Sequence, residues 1–283
     1  MLTKSEQLQL LKSDVTAWNQ WRSANDNIEL DLSGGDFAGA DLAAADLIVV
    51  NLTGANFSEA NLTGADFRGS ILRGANLFAA YLAEALLSHG KLLAANLSRA
   101  NLTGATLASA NLVRANLMGA RLFQANLAST DLTAADLGAA RLTAVNLANA
   151  TLVQTKLIGT NLKQAILTNA NLRGAILRGT NLKQANLENA NLQATDLTGA
   201  DFSEANLTTA NLSKAIAHHT TFRRSILTGA CVEQWRISRS SDFQGVKCDY
   251  IFDEPSRRSP GRPDKSFGAF GFRLWLMDYL KDH

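Results

Sequence analysis

Asn161-Leu-Lys-Gln-Ala165, Ile166-Leu-Thr-Asn-Ala170, Asn171-Leu-Arg-Gly-Ala175, Ile176-Leu-Arg-Gly-Thr180, and then Asn181-Leu-Lys-Gln-Ala185: a five-residue unit recurs, and the first one returns unchanged after twenty residues. The period runs without insertion or deletion from Leu32 to Val232. Of its 41 central positions 39 are Leu or Phe, with Ala217 and Val232 the exceptions. Two residues before each centre, from Gly35 to Ala230, stands Gly, Ala, Ser, Thr or Val. One residue before it stands mostly Asn or Asp, as in Asn96-Leu97 and Asp136-Leu137. The rest of the chain has to be read as serving this array.

A continuous helix needs apolar residues every 3.6 positions and a flat strand every 2, so a period of five suits neither. It suits a coil of short extended segments separated by tight turns. The large and the small apolar residue then point inward and the other three face water or the corners. Glycines two places after the centre, such as Gly104 and Gly174, fall where some turns need a positive φ. The twenty-residue echo also spaces Asn149, Asn169 and Asn189, Arg121 and Arg141, Phe37 and Phe57, and Phe202 and Phe222. Like residues stack in solenoids, so four units make one coil. Ten such coils at ~4.8 Å each predict a rod about 50 Å long.

The pattern, a small residue, Asn or Asp, then Leu and two further residues, closely resembles the pentapeptide-repeat family over residues 31–232. The resemblance implies an all-β solenoid, a right-handed quadrilateral β-helix. The Trp18-Asn-Gln-Trp21-Arg22 cluster and the segment Cys231 to Phe252 resemble the lead-in and tail of cyanobacterial members. Known members include DNA mimics that bind gyrase and cyanobacterial regulators that act through protein contacts.

Outside the array, Thr3 and Glu6 have capping-box spacing, and Leu8, Leu11, Val15 and Trp18 follow at helical intervals. They predict one helix over residues 3–24, within an N-terminal cap of residues 1–30 that covers the open end of the solenoid. The run Ala85 to Leu92, with Leu86 and Lys91 in the Asn/Asp slot, predicts a local bulge. After Val232 the spacing slips: Ile237 keeps the period, Phe243 comes one residue late and Cys248 resumes it. Residues 233–252 therefore read as an irregular last coil closed by Trp235, Ile237, Phe243 and Tyr250. All three prolines lie in residues 253–266, which read as a flexible linker. Residues 267–283 end the chain as an apolar helix with two stripes. Phe272, Trp275, Leu276, Tyr279 and Leu280 form one, and Phe270, Leu274 and Met277 the other. Capping needs one stripe, so the second predicts a homodimer or intermolecular docking.

The chain offers no catalytic constellation. His218 and His219 are adjacent and should point apart, so no metal site is expected. The nine Asp of the repeat slot read as turn formers rather than acid/base pairs, and no cofactor is implied. Cys231 and Cys248, the only cysteines, read as unpaired thiols, with a pair between them left open. The N-terminus lacks an apolar signal core and no stretch approaches a membrane span, so the protein is expected to be cytoplasmic.

Charge is uneven although the total is only +2. Residues 31–84 carry seven acids and two bases, with Asp31, Asp36, Asp41 and Asp46 as an acidic collar. Residues 85–187 carry ten bases and two acids. A basic middle disfavours the DNA-mimic reading, and sparse aromatic platforms disfavour a nucleic-acid-binding module. The preferred reading is a non-catalytic protein-interaction scaffold. Read by columns twenty residues apart, Leu93, Val113 and Val153 gather on one face and Phe78, Met118 and Ile158 on the next, edged by Arg173 and Arg178. An apolar patch rimmed by charge predicts a protein-binding surface for an acidic partner.

Overall fold

In the computed structural model, which describes residues 2–254, 257–259 and 268–282, the array winds as a square coil. Backbone bridges join each Asn/Asp-slot residue to the one twenty residues later, in parallel, from Asp36↔Asn56 to Asn211↔Cys231. Four units therefore close one turn. The first face holds the units centred on Leu32, Leu52 and their successors, the second those on Phe37 and Phe57, the third those on Leu42 and Leu62, the fourth those on Leu47 and Phe67.

One unit shows why this composition makes this coil. In the unit of Leu97, the central N–H donates to the Asn116 carbonyl (2.7 Å) and the Arg99 N–H to the Met118 carbonyl (2.9 Å), both one coil on. Asn96 N–H donates back to the Ala75 carbonyl (2.9 Å), and Ala100 N–H closes the turn on the Leu97 carbonyl (3.1 Å). That leaves the Ser98 N–H, and the Asn96 side-chain Oδ1 accepts it (3.2 Å). All five donors are satisfied, and the Asn/Asp slot exists to supply the fifth acceptor. The turn has φ > 0 at its third residue, 59° at Arg99, which makes it type II. Positive φ is not confined to the glycines: every corner from Gly34 to Gln234 adopts it, and 28 of the residues that do so are not glycine.

Inside, the Leu and Phe centres and the small residues two before them are buried, Ala40 beside the N-terminal cap being only partly so. Phe37 and Phe57 stack at 4.8 Å, and Phe202, Phe222 and Phe243 form a second column at 5.2 and 5.1 Å. Where the small slot holds Thr, its hydroxyl donates to a main-chain carbonyl, of the preceding coil for Thr155 to Leu132 (2.8 Å) and of its own turn for Thr195 to Leu192 (2.7 Å). The run Ala85 to Leu92 does not bulge. Leu86↔Thr106 and Lys91↔Asn111 keep the register, because the bonds that set it are backbone ones, as from Leu87 N–H to the Thr106 carbonyl (2.7 Å), and need no side-chain acceptor in the slot.

The N-terminal cap is two helices, α1 (Lys4–Ser13) and α2 (Val15–Ser23), rather than one. Asp14 breaks them apart in an extended conformation, its N–H donating to the Leu10 carbonyl and its carboxylate accepting from Ala17 N–H (2.9 Å). Leu11 on α1 and Trp18 on α2 both reach the core. Gly35 sits beneath α1, where an added Cβ would lie 2.8 Å from a Leu8 methyl. The side chains of α2 replace the absent coil above the fourth face. Trp18 Nε1–H and Arg22 donate to the carbonyls of Asp46 (2.8 Å) and Ile48 (3.0 Å), while Asn19 accepts from Asp46 N–H (2.8 Å) and donates to Ala44 (3.0 Å). The strands β1 (Leu30–Asp31) and β2 (Val50–Asn51) pair in parallel at this end.

At the other end β3 (Ile216–Ala217) pairs with β4 (Arg236–Ile237), and one residue is then inserted near Ser241, so Thr221 pairs with Asp242 and Ile226 with Lys247. Trp235 is buried, with Ile237 and Phe243 packed against the core. Tyr250 does not close the core: it lies half-buried edge-on to Phe252, and its neighbour Ile251 takes the inward position. The stretch read as a linker from residue 253 begins as structure. β5 (Ile251–Glu254) pairs antiparallel with β6 (Arg257–Ser259), covering the last open edge of the first face. Residues 260–267 lie outside the described residues. Finally α3 (Gly268–Asp282) lays Phe272 and Leu276 on the core end, and the Tyr279 hydroxyl donates to the Trp235 carbonyl (2.8 Å).

Candidate docking surfaces

The slot after each centre begins a turn and points outward, so its occupants decide what each face offers. On the second face Met118 and Ile158 are 49% and 47% exposed, and Gly138 places no side chain between them. Around the corner Leu93, Val113 and Val153 on the first face, and Phe78 on the second, are half-buried. The structure thus brings six apolar residues onto adjoining faces of neighbouring coils. The rim differs from a free basic edge. Arg178 is paired with Asp196 (2.5 Å) and Lys156 with Asp136 (3.5 Å), while Arg99 lies over the Phe78 ring at 5.9 Å. Arg173 is exposed and makes no ion pair among the described residues.

Asp196 and Asp201 have pKa values held below the ordinary carboxylate value. Burial opposes this, but hydrogen bonds from Thr198 and Ser203 and from the partner cations Arg178 and Lys183 outweigh it. The acidic collar is turn machinery. Asp36 accepts the Ala38 N–H and the Asn56 amide (2.9 Å), beginning a ladder that passes through Asn76 to Asn96. Cys231 and Cys248 are both free thiols, and burial pushes the Cys248 pKa up to about 12. His219 faces Ser240 (2.7 Å), and no cluster able to hold a metal is found among the described residues. No helix among them is long and apolar enough to cross a membrane. On α3, Leu274 and Met277 point outward and are exposed, while the side chain of Phe270 lies outside the described part.

A family model for pentapeptide repeats matches in eight overlapping copies: residues 29–57, 36–74, 80–119, 100–138, 125–164, 155–193, 165–203 and 190–229. The chain is a pentapeptide-repeat protein. Its coil is accordingly the right-handed quadrilateral β-helix of that family. Solved structures similar to this pentapeptide-repeat protein include HetL, involved in heterocyst differentiation regulation in the cyanobacterium Nostoc sp. strain PCC 7120. HetL is 27% identical, with 85% of this chain and 98% of HetL covered and a TM-score of 0.48. A pentapeptide-repeat protein of the Arabidopsis thaliana thylakoid lumen is 30% identical over 38% of this chain and 71% of its own, with a TM-score of 0.30. QnrB1, a plasmid-mediated fluoroquinolone resistance protein, is 18% identical over 78% and 90%, with a TM-score of 0.37. No curated protein sequence matches the chain.

Column reading found Met118 and Ile158 but missed two exposed aromatics, Tyr81 (57%) and Phe123 (45%), both on the third face. Phe123 was legible, since it fills the same outward slot as Met118 in the next unit. Tyr81 occupies an Asn/Asp slot, where only the structure shows how far a large ring stands out.

Proposed function

We propose that this pentapeptide-repeat protein is a non-catalytic interaction scaffold that docks a protein partner across the first and second faces. The observation that carries the reading is the half-exposed pair Met118 and Ile158 with the apolar column beside it. Water gains nothing by hydrating such side chains, and their removal from it drives association. Because Arg178 is already neutralised by Asp196, the docking there rests on apolar contact more than on attraction of an acidic partner. The reading sets the protein in the cytoplasm, where Cys231 and Cys248 remain thiols.

The test is capture of partners on the immobilised protein and on a Met118→Glu/Ile158→Glu variant, with cross-links mapped by mass spectrometry. A partner cross-linked beside these residues and lost from the folded variant supports the proposal; capture unchanged by the variant removes it. A gyrase supercoiling assay separates the DNA-mimic reading. That reading needs a long acidic face, whereas the collar aspartates are confined to the first coil.

A further inference from the structure

We infer that the third face carries a second docking site, for a short acidic polypeptide segment, independent of the apolar patch. On this face five successive units, from Asn101 to Ala185, contain four bases, Arg121, Arg141, Lys163 and Lys183, and no acid. Lys183 is paired with Asp201 (3.1 Å). Arg121, Arg141 and Lys163 are exposed and make no ion pair among the described residues. On the second face Lys156 and Arg178 are neutralised by Asp136 and Asp196, and the fourth has no charged residue from Leu86 to Leu187. The first face also carries exposed bases, Arg73, Lys91, Arg114 and Arg173, but no two of them are bridge partners.

Arg121 and Arg141 are direct bridge partners on adjacent coils. Like charges opposed in this way destabilise a sheet, and the slot otherwise holds mostly Asn, which would ladder favourably. The array bears that cost without relief from its own acids, so the relief fits an anion from outside. Phe123, in the same unit as Arg121, adds exposed aromatic surface within the stripe, while Tyr81 stands beyond its end in the unit of Glu84.

The length of the stripe selects the anion. Glu84 closes it at one end, Asp201 and Glu204 at the other. The acid-free span is about 20 Å, or roughly six residues of extended chain. A nucleic-acid strand running past those limits would meet like charge, and three phosphate contacts confer only weak binding, with a salt slope of about 2. A short segment bearing Asp or Glu with an interspersed aromatic residue meets both the cations and the Phe123 ring.

The experiment is fluorescence anisotropy of the full chain with a labelled peptide of alternating glutamate and tyrosine, about six residues long. The expected result is saturable binding that weakens with salt. Arg141→Glu should weaken it at least ~tenfold, the scale of a lost charge-assisted contact. Arg114→Glu, at an exposed corner of the first face, should leave it unchanged. Arg141→Glu also turns a repulsive neighbour of Arg121 into an attractive one, so its melting temperature should rise as binding falls. A merely structural role for the arginine pair would instead lower both. The inference is overturned if the unmodified chain shows no saturable binding, if Arg141→Glu binds equally well or melts lower, or if labelled oligothymidylate binds as tightly as the peptide.

Discussion

A β-branched residue at positive φ is strained, and Val49 is held at 56° while 69% exposed. Its side chain gains little from packing, so Val49→Gly should stabilise the protein by about 1 kcal/mol in chemical denaturation, the left-handed penalty less the entropy of glycine. Gly104→Ala should lose a similar amount. The inward slot behaves otherwise. Leu127 is fully buried, so Leu127→Lys strands a charge and should cost several kcal/mol, about the scale of an unpaired buried group, while Ala128→Lys should do little. If both variants unfold alike, the inward assignment fails. Cys248, buried and with its pKa raised, should resist iodoacetamide in the native protein and react on denaturation. Mass spectrometry of the alkylated chain reads this directly.

At the scale of the element, the caps decide whether the rod ends cleanly. Asn19 on α2 serves two backbone groups that otherwise have no coil to pair with. Asn19→Ala should therefore destabilise by about 1 kcal/mol, the net worth of such partly exposed hydrogen bonds, with hydrogen exchange rising first at Ala44 to Ile48. On α3 the outward Leu274 and Met277 are the stripe that capping leaves over. We propose self-association through it. Multi-angle light scattering should show a dimer that Leu274→Glu/Met277→Glu converts to a monomer, and a monomer at every concentration for the unmodified chain removes the proposal.

For the whole molecule, the acid limb of stability follows from carboxylates spread along the rod. Asp196 and Asp201 have folded pKa values below the ordinary one, so their contribution is fully present above the unfolded value and is lost as the pH falls through the folded one. Melting temperature should thus decline on acidification through the carboxylate range. Asp201→Asn should flatten that decline, and an unchanged slope would argue against it.

Much of this was legible from letters alone. An unbroken period of five with a twenty-residue echo admits one coil geometry, because backbone pairing requires each unit to meet its like one turn later. The inward Leu ladder and the Met118–Ile158 column follow from that count without coordinates. Three things did not. The break at Asp14 falls inside a run whose helical periodicity from Leu8 to Trp18 is unbroken, so only the structure shows Asp14 ending α1 and capping α2. The β5–β6 pair arises because the array leaves a bare strand edge, a property of the finished coil and not of residues 251–259. And charge could be counted in sequence but not paired. The twenty-residue echo already set Arg121 over Arg141, but only the structure shows that Arg178 meets Asp196 eighteen residues away while those two arginines make no ion pair among the described residues. Neutralisation depends on distance between coils, and that is a tertiary quantity.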